Sequence, residues 1–245
     1  TGASRGLGRE LALALAREGY DLLICARGSE GLQAVQKEAF ALGVACETWA
    51  GDLKVSQSFN FMEILKSRPV YILVNNAGLI NPLTPMDGLT ALELWDALEL
   101  NLYAPFRLMK AVCPGMRERD SGVIVNICSL AGRRAIRNAS FYCASKFALR
   151  GLTESLSQEL EETGVRCFSV SPGGMRTDMR EKLMGDAAQQ QDPAFVAQVV
   201  VDAIAGRITV PQGGDLVVRG GEYTAVPREQ WTGIVRGQQP EVTMR

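Results

Sequence analysis

The sequence alternates short, β-branched apolar runs with longer amphipathic stretches, and this alternation constrains the fold more than any other feature. Strands are predicted over about 21–26, 70–74, 122–128 and 165–170, each hydrophobic along almost its whole length. Helices are predicted over about 8–18, 28–42, 55–67, 90–118, 141–162 and 192–206. Continuous hydrophobic strands between helices are typical of a parallel sheet covered on both faces. The pattern therefore predicts an α/β fold with a doubly wound parallel sheet in three layers, αβα.

Two segments fall outside this alternation. The stretch at about 177–191 is polar and contains methionine, and we interpret it as a substrate lid. The tail at about 220–245 is rich in Gly, Pro and Gln, and an irregular structure is predicted for it. Because no repeat or low-complexity linker divides the chain, residues 1–245 are predicted to form a single domain.

Charge and composition exclude several classes of partner. The 26 basic and 27 acidic side chains give a net charge of −1, so there is no basic surplus for nucleic acid or an anionic membrane surface. No apolar run reaches the length of a membrane span, and the first residues do not resemble a signal peptide. The six cysteines form no Cys-x-x-Cys pair. They predict buried free thiols in a reducing, cytoplasmic location, with disulfides or zinc ligands as the alternatives.

The chain contains no histidine. This absence excludes Ser-His-Asp and Cys-His catalysis, His-Glu-x-x-His zinc sites and histidine general bases. Acid–base chemistry must therefore rest on Tyr, Lys, Asp, Glu or Cys, and no metal site is predicted.

A glycine-rich segment, Thr-Gly-Ala-Ser-Arg-Gly-Leu-Gly at 1–8, runs directly into the first predicted helix. Glycines allow backbone N–H groups to approach a pyrophosphate, and the helix N-terminus adds partial positive charge. The spacing is G-x-x-x-G-x-G rather than G-x-G-x-x-G, so a plain glycine-rich turn is the alternative interpretation.

Two arginines indicate which dinucleotide this segment would bind. An acidic residue after the second strand binds the ribose 2′-OH of NAD, whereas arginine accommodates the 2′-phosphate of NADP. Here Arg27 follows the strand with no carboxylate, and Arg5 lies inside the glycine segment. The pair predicts NADP(H) rather than NAD(H), and two solvated surface arginines are the alternative.

Tyr142 and Lys146 are four residues apart on a predicted helix and therefore share a face. A free phenol has a pKa of about 10 and is a poor acid–base catalyst at neutral pH. A nearby cation favours the phenolate, so we expect Lys146 to lower the pKa of Tyr142. Taken alone this spacing is a weak signal, since about 0.12 such pairs are expected by chance in a chain of this composition.

The order of several motifs carries more weight than any one of them. Over about residues 1–178 the chain resembles the short-chain dehydrogenase/reductase family in the order and approximate spacing of six features. They are the segment 1–8, the Asn-Asn-Ala-Gly run at 75–78, Asn101, Ser129, the pair Tyr142 and Lys146, and the Pro-Gly-Gly-Met-Arg-Thr run at 172–177. The resemblance implies a Rossmann-type fold and an NADP(H)-dependent oxidoreductase acting on a carbonyl or alcohol.

The resemblance also implies roles for individual residues. Tyr142 would exchange a proton with the substrate oxygen, Ser129 would bind that oxygen, and Lys146 would bind the nicotinamide ribose. Asn101 would help to hold a water for proton relay. Arg5 and Arg27 would lie at the 2′-phosphate, Asp52 and Leu53 at the adenine, Asn75 and Ala77 at the adenosine ribose side, and Thr177 at the nicotinamide amide. The full set implied for the cofactor is Gly2, Arg5, Gly6, Leu7, Gly8, Arg27, Asp52, Leu53, Asn75, Ala77, Gly78, Tyr142, Lys146 and Thr177.

Several of these residues have a structural role as the alternative interpretation. Ser129 could cap a strand end, and Asn101 could satisfy backbone groups in its helix. Asn75 and Asn76 could be structural residues at the end of a strand, which is the interpretation preferred for Asn76. Arg133, Arg134 and Arg137 are interpreted as a solvated basic loop rather than as part of the substrate entrance.

Two other functions and an assembly follow as hypotheses. A nicotinamide-dependent epimerase is disfavoured because no second domain follows residue 180, and a catalytically silent dinucleotide-binding regulator is disfavoured by the complete Asn, Ser, Tyr and Lys set. The resemblance implies a homodimer or homotetramer in which the helices containing Asn101 and Tyr142 pack against a symmetry mate. The helix after Tyr142 also carries Phe147 and three leucines, at 152, 156 and 160, which is more apolar surface than one sheet face needs. The resemblance also implies a strand before Thr1, near the middle of the sheet, so the sequence given is expected to lack its first few residues.

Overall fold

The computed structural model describes residues 1–54, 58–177 and 190–230. Its strands are β1 (Leu22–Ala26), β2 (Cys46–Ala50), β3 (Ile72–Asn75), β4 (Gly122–Ile127), β5 (Val165–Pro172), β6 (Asp215–Arg219) and β7 (Glu222–Val226). Its α-helices are α1 (Gly6–Arg17), α2 (Ser29–Ala41), α3 (Phe59–Lys66), α4 (Ala91–Leu98), α5 (Ala104–Glu118), α6 (Ser140–Glu159) and α7 (Pro193–Ile204).

The strands are parallel except at one edge. β1 pairs with β2, and β3, β4, β5 and β6 pair in that order, all in parallel. Residues 1–3 run between these two groups: the amino group of Thr1 donates to Val74 O at 2.9 Å, and the Ala3 amide donates to Cys25 O at 3.1 Å. The parallel strands and their crossover helices confirm the predicted Rossmann-type α/β fold.

Helices cover the sheet on two sides. On one side, α1 and α7 bury Leu7, Leu11 and Val200 against Val125 and Phe168 of the central strands. On the other side, a second cluster joins α3, α5 and the end of α6 to the same strands; its members include Phe61, Leu108, Leu160, Ile124 and Cys167. The hydrophobic runs of β4 and β5 are therefore buried on both faces, as their sequences predict.

Helix starts and one irregular turn follow from local sequence. Thr90 and Glu93 form a capping box at α4, in which Thr90 Oγ1 accepts from the Glu93 amide and the Glu93 carboxylate accepts from the Thr90 amide. Asp192 caps α7, whose first residue is Pro193. The predicted helix 90–118 is interrupted by a π-helical turn over residues 99–103, which contains Asn101. Such wide turns are frequent at functional sites.

Several predictions about the remaining chain need correction or lie outside the described residues. The tail is not irregular throughout, because residues 222–226 form β7, antiparallel to β6, after a turn in which Gly220 and Gly221 both have positive φ. β6 itself was absent from the predicted strands. The supposed lid lies outside the described residues over 178–189, as do 55–57 of the third predicted helix and the tail after 230.

Two further observations concern the cysteines and the helices. All six cysteines are buried free thiols, as predicted. Among the described ranges, the structure has no helix whose length and apolar character would allow it to cross a bilayer.

Candidate active site

The glycine segment 1–8, which we call the glycine loop, wraps onto the start of α1. Gly2 and Gly6 have φ of +66° and +54°, a region that favours glycine. A Cβ on Gly8 would overlap the carbonyl of Gly2 and lie 2.5 Å from Asn76 Nδ2. The first turn of α1 has no acidic residue, and its N-cap residue, Arg5, makes no side-chain cap. The loop therefore leaves a helix N-terminus suited to an anion.

Thr1 and Asn76 fasten this loop to the end of β3. Thr1 Oγ1 accepts from the amides of Asn76 and Ala77 at 3.0 and 2.9 Å. Asn76 Nδ2 donates to Thr1 O at 2.8 Å. These contacts support the structural interpretation of Asn76.

Asn75 does not reach the loop. Its side chain is buried between strands, where Nδ2 donates to Asn126 Oδ1 at 2.7 Å. The alternating direction of strand side chains turns the Asn75 side chain into the interior, and a contact of Asn75 with the adenosine ribose stays a prediction. Its neighbours Ala77 and Gly78 do lie at the sheet end: a Cβ on Gly78 would be 3.1 Å from Asn101 Oδ1 and 3.5 Å from Lys146 Nζ.

The predicted adenosine side lies beside the glycine loop. Arg5 is exposed in the loop, and Arg27 is exposed directly after β1. The bond from the Ala3 amide to Cys25 O holds the loop against the end of β1. Asp52 accepts from the Lys54 amide at 3.0 Å, and Leu53 is buried. Leu7 is also buried, in the core under α1, so its contribution to the loop is through its backbone.

Asn101 is fully buried in the π-helical turn. Its Oδ1 accepts from the Leu79 amide at 2.8 Å, and its Nδ2 donates to Leu79 O at 2.8 Å and to Ser145 Oγ at 3.0 Å. Ser145 Oγ donates in turn to Tyr142 O at 2.8 Å. Asn101 thus links the segment after β3 to the helix that carries Tyr142 and Lys146. It does satisfy backbone groups, as the alternative interpretation held, but those of a distant segment.

Ser129, Tyr142 and Lys146 are brought together at the end of β4. Ser129 follows β4, and its hydroxyl accepts from the Ala131 amide at 3.1 Å and shares a hydrogen bond with the side chain of Tyr142. Lys146 Nζ donates to Ile127 O at 2.9 Å and lies 5.9 Å from the centre of the Tyr142 ring. With Asn101, these residues form what we call the catalytic cluster.

The pKa directions differ from the sequence-based expectation. Burial raises the pKa of Tyr142, and the hydrogen bond with Ser129 opposes this rise. Burial lowers the pKa of Lys146 from its ordinary value. The net shift of the Tyr142 pKa is therefore opposite to the expected lowering, and its largest cause is desolvation of the phenolate rather than the charge of Lys146.

Thr177 completes the connection between the loop and the end of β5. Its methyl carbon would lie 3.4 Å from a Cβ placed on Gly6. The Pro-Gly-Gly-Met-Arg-Thr run therefore brings Thr177 next to Gly6 of the glycine loop, and its role at the nicotinamide amide stays a prediction.

One charged group beside the cluster was missed by sequence reasoning. Asp215 is fully buried at the start of β6, and its Oδ2 lies 2.6 Å from Arg133 Nη1. The interpretation of Arg133 as a solvated basic residue is wrong, because it pairs with this carboxylate; Arg134 and Arg137 are exposed. The only signal in the sequence was an aspartate opening a Val-rich run. Across residues 1–54, 58–177 and 190–230, the acidic and cysteine side chains form no group of three that could hold a metal ion.

Comparison with known proteins decides the family. Residues 1–188 match the family model described as short chain dehydrogenase. The chain belongs to the short-chain dehydrogenase family. An NADPH-dependent pterin aldehyde reductase of Arabidopsis thaliana is 32% identical over 222 residues, which cover 89% of this chain and 91% of that protein. The 3-oxoacyl-(acyl-carrier-protein) reductase FabG of Staphylococcus epidermidis is 31% identical over 239 residues, 91% of this chain and 97% of that protein.

Solved structures agree with this assignment. A short-chain dehydrogenase from Sphingobium yanoikuyae in complex with NADPH superimposes with a TM-score of 0.80 at 27% identity, over 89% of this chain and 84% of that one. The predicted family and the oxidoreductase class are therefore confirmed, and this chain is an oxidoreductase of the short-chain dehydrogenase fold.

Proposed function

We propose that this protein transfers a hydride between NADP(H) and a carbonyl or alcohol substrate, with Tyr142 as the acid and base. The observation that carries the proposal is the meeting of Ser129, Tyr142 and Lys146 at one end of the sheet, with Gly78 joining them to the glycine-loop side. Ligands of open α/β sheets bind at this carboxyl end of the strands.

The residues at the glycine loop fit a dinucleotide. Its backbone packing leaves no room for a Cβ at Gly8 and only a tight space at Gly2, so main-chain groups can approach a pyrophosphate. Arg5 and Arg27 lie exposed at this edge, and the residue directly after β1 is Arg27 rather than a carboxylate, which supports NADP(H) over NAD(H). When bound, the nicotinamide supplies or accepts the hydride.

The catalytic cluster supplies orientation and the proton. The phenol of Tyr142 is protonated at neutral pH, as a free phenol is, and burial keeps it so. It can therefore donate its proton to a carbonyl oxygen. Ser129 shares a hydrogen bond with Tyr142, so its hydroxyl is positioned to bind the same substrate oxygen. Lys146 would bind the nicotinamide ribose. Asn101 would hold helix α6 in place at the site through its hydrogen bond to Ser145.

The substrate class is tested by consumption of NADPH. Purified protein would be mixed with NADPH and a panel of ketones, aldehydes and 3-ketoacyl thioesters, and absorbance at the nicotinamide band followed. We expect turnover of at least one class, and a matched run with NADH at least about tenfold slower in kcat/KM. Binding of NADPH without turnover of any carbonyl, or of the corresponding alcohols with NADP⁺, would instead support a silent dinucleotide-binding protein.

We also propose a homo-oligomer and a cytoplasmic location. The predicted leucine face does not carry the assembly: Leu160 is fully buried, and Leu152 and Leu156 pack against the core. Of the predicted apolar residues, Phe147 on α6 is exposed. It supports the assembly together with large exposed apolar side chains on the neighbouring helices α4 and α5, namely Leu92, Trp95 and Phe106. The buried free thiols support a reducing compartment.

A further inference from the structure

A buried carboxylate lies behind the proposed catalytic residues. Asp215 is fully buried, and its Oδ1 accepts from Ser169 Oγ and Ser171 Oγ at 2.7 and 2.9 Å, both on β5. Its Oδ2 pairs with Arg133 at 2.6 Å and with Arg150 Nε at 3.7 Å. A buried charge persists only when it is paired and hydrogen-bonded, and every oxygen of Asp215 is engaged.

Arg133 ties this carboxylate to the turn that begins at Ser129. Residues 129–133, which we call the Ser129 turn, are closed by the amide of Gly132 donating to Ser129 O at 2.8 Å and that of Arg133 donating to Leu130 O at 3.0 Å. The guanidinium of Arg133 then anchors the end of the turn on β6. The Ser129 turn is therefore held at both ends, by β4 before Ser129 and by Asp215 through Arg133.

Arg150 ties the same carboxylate to the helix of Tyr142 and Lys146. It lies one turn after Lys146 on α6, and its Nη1 donates to Gly132 O at 2.6 Å. The Ser129 turn also packs directly on this helix, since a Cβ on Gly132 would be 2.8 Å from Lys146 O. One carboxylate thus joins the elements that carry all three reacting side chains.

We propose that Asp215 is a positioning residue, which acts through Arg133 and Arg150 to hold the Ser129 turn against α6 in the geometry needed for proton transfer. The inference rests on the proposed function. A small displacement of Ser129 relative to Tyr142 would lower the turnover number without changing the glycine-loop side of the site, because misplacement of a catalytic group acts on the transition state.

The first test uses Arg133, because Asp215 variants leave two guanidiniums without their carboxylate and can fail to fold. Arg133 is partly exposed, and Arg133→Ala keeps the pair between Asp215 and Arg150. We expect kcat with the best carbonyl of the panel to fall about tenfold, the Kd for NADPH measured by fluorescence to stay within twofold, and Arg133→Lys to recover part of the loss. Arg134→Ala, an exposed arginine in the same loop, is the control for charge and should stay within twofold of the wild type.

A double-mutant cycle asks whether Arg133 acts through Ser129. We expect Ser129→Ala to lower kcat strongly, and Arg133→Ala to cost less than twofold more in that background. An equal tenfold loss in both backgrounds would overturn the proposal, as would an Arg133→Ala protein that matches Arg134→Ala. If Ser129→Ala itself leaves kcat unchanged, it is the proposed function that fails.

Hydrogen exchange provides a readout that does not need activity. In Arg133→Ala, and in Asp215→Asn if it folds, the amides of residues 131–133 should exchange at least about tenfold faster, while those of β3 remain protected. Unchanged exchange in the Ser129 turn of Arg133→Ala would contradict the anchoring role directly.

Discussion

The glycine loop and the catalytic cluster reach their geometry by different physical means. In the glycine loop, the decisive feature is that glycine has no side chain, because the backbone leaves no space for a Cβ at Gly8. The charged side chains nearby, Arg5 and Arg27, are exposed. In the catalytic cluster, the decisive feature is a network of buried side chains, in which Asn101 and Lys146 each bond to backbone groups of other elements. In the proposed function, cofactor choice would therefore depend on exposed charges that are individually weak, and proton transfer on groups that the fold holds in place.

The largest effect on turnover is expected within the catalytic cluster. Lys146→Ala removes the ammonium that donates to Ile127 O beside Tyr142, so both cofactor binding and proton transfer should suffer. We expect kcat/KM to fall about a thousandfold, within the range for loss of a positioned acid–base partner together with binding. Lys110→Ala, an exposed lysine on α5, is the matched control. A loss of less than tenfold would show that Lys146 is mainly structural.

A smaller but still severe effect is expected in the glycine loop. Gly8→Ala adds a single methyl group that overlaps the Gly2 carbonyl, so the loop must move away from the position that suits a pyrophosphate. We expect the Kd for NADPH to rise at least about a hundredfold, or about 2.7 kcal/mol. Gly151→Ala, where no atom lies within 4 Å of the added carbon, should bind normally. Normal binding by Gly8→Ala would mean that the dinucleotide lies elsewhere.

A moderate effect is expected on the preference for NADPH over NADH when the exposed arginines near the glycine loop are replaced. Replacing both Arg5 and Arg27 by Ala should erase most of an expected tenfold preference for NADPH over NADH, which corresponds to about 1.4 kcal/mol. The ratio of the two kcat/KM values is the measurement, and Arg17→Ala with Arg134→Ala supplies the same change of charge at other exposed positions. A wild-type protein that prefers NADH would contradict the assignment of these arginines.

The smallest effect on turnover is expected from substitution of the exposed apolar side chains on helices α4, α5 and α6. Trp95 is 66% exposed on α4, outside the catalytic cluster. Trp95→Ser should shift the sedimentation mass of an oligomer toward the 26.5 kDa of one chain and change kcat less than twofold. Phe40→Ser, at an exposed aromatic on α2, should leave the mass unchanged. A wild-type mass of one chain at micromolar concentration would refute the oligomer.

Sequence reasoning reached the central strands and the Tyr142 and Lys146 pair because these depend on local pattern. β4 and β5 are continuous apolar runs, and a spacing of four residues on a helix places two side chains on one face. β7 was not predicted, because three of its five residues are exposed and the strand has no continuous apolar run.

The ion pair of Asp215 and Arg133 could not be predicted in the same way. The two residues are 82 positions apart, and only the pairing of β6 with β5 brings the carboxylate beneath the Ser129 turn. The direction of the Tyr142 pKa shift could not be predicted for a similar reason. The spacing of Tyr142 and Lys146 indicates a nearby cation, but it does not show how far the phenol is desolvated.

The most direct test of the account compares Tyr142→Phe with the wild type in two measurements on the same preparations. The substitution removes one hydroxyl from a side chain that bonds Ser129, and leaves the glycine loop and Lys146 in place. We expect the Kd for NADPH to stay within twofold and kcat to fall at least about a hundredfold, the lower end for general acid catalysis. Near-normal turnover by the Phe variant would contradict the central claim that Tyr142 supplies the proton.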